Sequence, residues 1–105
     1  MPSYNLLKNK VSKMPNVTTR PMFGYQCYSI SGKFFVGLSG KNDWQVIVRL
    51  PKEEQQTATK TNGIEPFSHG AKMGWIQIDM NQVTTTVALR CAKKGYEHAN
   101  ALSQK

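Results

Sequence analysis

Cys27 stands inside "TTRPMFGYQCYSISGKFFVGLSG", residues 18–40, where aromatic and sulfur side chains crowd around glycines and basic residues. A cysteine reacts or binds metal as its thiolate, which needs a cation, a histidine or a helix N-terminus beside it. The stretch offers no histidine or carboxylate to activate the thiol, and burial in an aromatic strand disfavours the charged form. Cys91 is far away in sequence, with no knuckle spacing, so both cysteines are expected to be reduced structural thiols. His69 and His98 show no ligand spacing, and the acids Asp43, Glu53, Glu54, Glu65, Asp79 and Glu97 are scattered without a nucleophile-and-base pattern. "GLSGKN" resembles a fragment of a phosphate loop, but its glycines are too close, Asn42 replaces the metal-binding hydroxyl, and a strand follows instead of a helix. No catalytic residue, metal site or cofactor site is expected, and an enzyme is the weakest class.

What remains is a surface chemistry. The net charge is +8, and residues 1–50 hold Lys8, Lys10, Lys13, Arg20, Lys33, Lys41 and Arg49 against Asp43 alone. Such a half attracts anionic partners. Arg20, Tyr25, Tyr28, Lys33, Lys41 and Arg49 interleave aromatic faces with positive charge, as a single-stranded nucleic acid would require. They form the candidate binding surface. Phe23, Phe34 and Phe35 do not match an RNA-recognition signature.

These residues need elements to carry them. Tyr4, Leu7, Val11 and Met14 share a helical face, Ser3 can cap it, and Pro15 ends it. From Thr18 to Leu50 the pattern is that of strands. Met22, Tyr28 and Ile30 share one parity while Phe23, Tyr25 and Cys27 share the other, with Pro21 and Gly24 suggesting a bend or bulge between. A turn at Ser31 and Gly32 leads to Phe34, Val36 and Leu38, and "SGKND" leads to Trp44, Val46, Val48 and Leu50. The spacing predicts a three-stranded antiparallel meander. Pro51 opens an exposed helix that Gly63 stops, "WIQIDM" supplies a fourth strand, and Asn81 can cap a final helix with Val83, Val87, Ala88, Cys91, Ala99 and Leu102 inward.

The order helix, three strands, helix, strand, helix, with "RPMFG" early and "EPF…MGW" before the fourth strand, resembles the N-terminal domain family of TfoX, the regulator of competence. The resemblance runs from about Leu6 to Leu102, and Met22, Phe23, Gly24, Pro66, Phe67, Gly74 and Trp75 carry its words as structural positions. It implies a two-layer α+β fold, an antiparallel sheet of about four strands with helices packed against it in the order α-β-β-β-α-β-α. It also implies a role in transcriptional regulation. The chain reads as one domain, residues 1–105. No apolar run approaches the roughly 18 residues of a membrane span, and the start lacks a signal-peptide hydrophobic region, so a cytoplasmic protein without a membrane partner is expected. A non-catalytic module binding another protein is the expected function, with direct nucleic-acid binding through the basic half as the alternative. An unpaired first or fourth strand would allow a homodimer.

Overall fold

The computed structural model describes residues 4–22, 24–39, 45–68 and 70–103, with the backbone alone described for Tyr4, Met22 and Ser103. Helix α1 (Tyr4–Ser12) precedes four strands: β1 (Val17–Met22), β2 (Tyr25–Ile30), β3 (Lys33–Leu38) and β4 (Gln45–Arg49). Helix α2 (Lys52–Ala58), strand β5 (Ile64–Pro66), a 3₁₀ turn (Ala71–Met73), strand β6 (Trp75–Asp79) and helix α3 (Thr85–Ser103) follow. The fold is α+β, and its sheet is antiparallel throughout, in the order β1-β2-β3-β4-β6-β5.

Among the described residues the sheet has six strands, larger than the four expected, for two local reasons. The chain does not bulge between Pro21 and Gly24; it reverses. Met22 registers with Tyr25, so only residues 23 and 24 connect the strands, and Gly24 takes φ +80°, a left-handed conformation glycine adopts without a Cβ penalty. The clash of parities among Tyr25, Cys27, Tyr28 and Ile30 has a different source: all four lie in β2, which is apolar on both faces, with Tyr28 and Ile30 in the main core and Cys27 buried on the other side. The second addition, β5, is three residues long and buries Ile64 alone.

The expected turn at Ser31 and Gly32 is present, with φ +50° and +79°, the mirror-image turn that matches strand twist. Beyond it the register slips: Tyr28 pairs with Val36 but Ser29 pairs with Phe34. Phe35 is the extra residue, and the bulge lets Phe35 and Val36 both enter the core, each fully buried.

Alternation then sets the core. Tyr28, Ile30, Leu38, Val46, Val48, Ile76 and Ile78 meet Leu7 and Val11 of α1 and Ala88, Cys91, Ala92 and Ala99 of α3. The small residues of α3 allow a close approach: a Cβ on Gly95 would lie 2.7 Å from Val48 Cγ1 and 3.1 Å from the carbonyl oxygens of Phe35 and Arg49. Helix α3 begins at Thr85, four residues after the expected cap. Asn81 is held in a turn by donating its N–H to Asp79 Oδ1 (2.9 Å), and the Thr84 hydroxyl instead accepts from the Val87 N–H (3.3 Å). Val83 is buried as expected, but ahead of the helix. The Tyr96 hydroxyl donates to the Pro15 carbonyl (2.8 Å), tying α3 to the connection between α1 and β1.

Candidate functional site

Alternation also defines the opposite face of the sheet. Register links Arg20 to Cys27, Cys27 to Gly37, Gly37 to Ile47, Ile47 to Gln77 and Gln77 to Glu65. One row thus crosses these strands, with a cation at the β1 end, an anion at the β5 end, Cys27, Gly37 and Ile47 at the centre and the polar Gln77 beside Glu65. Cys27 and Ile47 are buried (2% and 7% exposed), yet both lie outside the main core cluster. Gly37 is the floor between them: a Cβ there would meet Ile47 Cγ1 at 2.9 Å and Cys27 Sγ at 3.3 Å.

Two rings reach over this face. Phe67 and Tyr25 meet edge to face, centroids 6.3 Å apart, although β3, β4 and β6 lie between Tyr25's strand β2 and β5, which Phe67 follows. The Tyr25 hydroxyl donates to Gln45 Oε1 (3.4 Å). Burial, and secondarily the neighbouring Cys27, push the Tyr25 phenol above its ordinary range. Burial likewise pushes the Cys27 thiol up, so it is held as the unreactive thiol at neutral pH. Cys91 follows the same rule, with burial outweighing the opposing pull of Lys94 and Arg90. Neither Cys27 nor Cys91 is in a disulfide. This arrangement has contact chemistry, apolar at the centre and charged at the ends.

The sequence-derived surface is only partly assembled. Arg20 and Lys33 are exposed, and Tyr25 and Arg49 are half-buried. Arg20, Tyr25 and Arg49 share the second face by register, whereas Lys33 sits at the turn between β2 and β3, opposite Ile30. Arg49 is engaged, its Nε donating to the Met73 carbonyl (3.2 Å). Tyr28 is a correction: it points into the main core and is 1% exposed, so no base can stack on it. Lys41 lies outside the described residues.

Of the motif positions, Phe23 and His69 also lie outside the described residues, as does the Met22 side chain. Gly24 makes the first hairpin, and exposed Pro66 ends β5. The Phe67 N–H donates to the Trp75 carbonyl (3.0 Å), and Gly70 leaves room for the Trp75 ring, whose Cγ would lie 2.9 Å from a Cβ there. Gly74 takes φ +97°, and a Cβ on it would overlap the Leu50 carbonyl oxygen. Sequence reasoning missed Ile47, Gly37 and Gln45. Ile47 carried a signal, being apolar but out of phase with Trp44, Val46 and Val48.

Among the described residues no group of three or more His, Cys, Asp or Glu side chains could hold a metal ion, and no helix is long and apolar enough to cross a membrane. No protein-family model matches the chain, and no curated protein matches it. Among solved structures, the chain is similar to a protein from Pseudomonas syringae determined as a structural-genomics target, at 15% identity with a TM-score of 0.74, over 92% of this chain and 98% of that one. The likeness supports the α+β architecture at the level of fold.

Proposed function

We propose that the protein is a small non-catalytic regulatory module, similar to the TfoX N-terminal domain family, that acts in the cytoplasm by binding an acidic region of another protein in transcriptional regulation. One observation carries the reading: from α1 through β3 the chain holds Lys8, Lys10, Lys13, Arg20 and Lys33 and no acidic residue. All of the described acids, Glu53, Glu54, Glu65, Asp79 and Glu97, belong to the rest of the chain. An acid-free stretch on a chain of charge +8 draws in anionic surfaces and repels other cations.

Direct nucleic-acid binding is the rival for the same charge. Stacking would supply about 1–3 kcal/mol per base on an open ring. Tyr28 is enclosed in the core and Tyr25 is engaged by Phe67, which withdraws the two aromatics that reading relied on. A pull-down from host extract, with and without nuclease and followed by salt titration, tests the proposal. A protein partner retained after nuclease supports it. Retention only with nucleic acid intact, with affinity falling steeply in salt as counterions are released, favours the rival.

A further inference from the structure

We propose that the outer edge of β1 is the docking strand for an extended, acid-rich segment of a partner protein; the proposal rests on the binding-module reading above and names its site. Among the described residues β1 pairs with β2 alone and ends the sheet. In an antiparallel pair, residues alternate between those that bond their partner and those whose backbone groups point away. Pro21 fixes the phase, because it registers with Gln26 and has no N–H to give. Its pair is therefore a non-bonded one, and so are Thr19 with Tyr28 and Val17 with Ile30. Val17 and Thr19 turn both N–H and C=O outward, and Pro21 turns its C=O outward. That is the pattern of alternating donors and acceptors to which a peptide strand adds by main-chain hydrogen bonds.

Charge selects the occupant. Lys8, Lys10 and Lys13 are exposed on α1 and its C-terminal turn, which leads into β1, while Arg20 is exposed on β1 itself. A second copy pairing antiparallel along the same edge would bring two Arg20 side chains near the axis and join two chains of charge +8, so self-pairing is opposed by like charge. A nucleic-acid backbone satisfies the cations but presents phosphate oxygens to the outward carbonyls of Val17, Thr19 and Pro21, where acceptor meets acceptor. A peptide strand with acidic side chains satisfies both the edge and its flanking lysines. The edge is also held in place, since the Tyr96 hydroxyl fixes Pro15 just upstream of it.

The test is a two-dimensional NMR titration of the full chain with a synthetic peptide of about eight residues alternating glutamate and valine, long enough to line the edge. Saturable binding with the largest shifts at the Val17 and Thr19 amides is expected. N-methylating the peptide amides on the edge-facing side should weaken binding by about tenfold or more, and Lys10→Glu with Lys13→Glu by about fivefold or more. Shifts centred on Tyr25, Ile47 and Phe67 with β1 unmoved would overturn the edge while leaving a binding module in place. Binding indifferent to N-methylation, no saturable binding, or β1 shifts that appear on self-association without peptide would each overturn the proposal. Occupation of the same edge by oligothymidylate in preference to the peptide would overturn both it and the protein-binding reading.

Discussion

Replacing Gly74 with alanine isolates the backbone junction that closes the β4–β6 end of the sheet. Gly74 has φ +97°, where an L residue is disfavoured by about 1–2 kcal/mol from backbone sterics alone. The added methyl would also overlap the Leu50 carbonyl oxygen, and backbone cannot swing aside as a side-chain tip can. Relief requires separating the two strands of the junction, which breaks the bond from the Leu50 N–H to the Gly74 carbonyl (3.0 Å). Leu50 is 1% exposed, so the orphaned group costs about 1–3 kcal/mol. The total is about 2–5 kcal/mol, or roughly 10–20 °C in Tm for a domain of this size. Gly32→Ala is the internal control, since Gly32 has φ +79° with nothing within 4 Å of an added methyl, and it should lose only the backbone cost of about 1–2 kcal/mol. Urea and thermal unfolding followed by circular dichroism measure both variants. If Gly74→Ala loses no more than Gly32→Ala, the steric argument is wrong.

Ser31→Asn should raise stability by about 0.5–1 kcal/mol in urea unfolding, because Ser31 holds φ +50° in a mirror-image turn that asparagine tolerates better; a loss would contradict that turn assignment. Asp79 is held below its ordinary carboxylate value, first by the Gln82 side chain and then by the Asn81 N–H. A depressed folded pKa gives stability that is present above the unfolded value near 3.8 and is lost as pH falls through the folded one. Asp79→Asn should therefore flatten that part of the acid-unfolding profile below about pH 4, and an unchanged profile would discount the turn. Cys27 and Cys91, buried with raised thiol pKa values, should label with a thiol reagent at neutral pH only as fast as the protein opens, their rates rising together in mild denaturant. Rapid labelling of Cys27 in the native state would refute that.

The elements with one clean period were legible. The alternation of Val46 and Val48 and the Ser31–Gly32 turn gave β3 and β4, and Pro51 marked the approach to α2, which starts at Lys52. The hairpin at residues 23–24 was not, because a two-residue reversal inverts parity just as a bulge does, and Pro21 beside Gly24 suits either reading. Strand β5 was hidden by length: three residues after a glycine, the last of them a proline, carry no measurable alternation. The same ambiguity misplaced Tyr28, whose face depends on which parity is inward. Gly37 was invisible as a site residue since its role comes from Cys27 and Ile47 on neighbouring strands, and sequence does not display register. For α3, Asn81 and Thr84 are equally good caps locally; Asp79 decides between them by taking the Asn81 N–H.

We propose that position, beyond total charge, makes the acid-free stretch from α1 through β3 the binding surface. The direct measurement is the affinity of the nuclease-resistant protein partner for two charge-matched variants, Lys10→Glu with Lys13→Glu, and Arg90→Glu with Lys93→Glu on α3. All four residues are exposed, and each pair changes the net charge equally. The account predicts a loss of about fivefold or more for the first pair, with the second near wild type. Equal losses from both pairs would show that the partner reads only bulk charge, and a loss confined to the α3 pair would contradict the account outright.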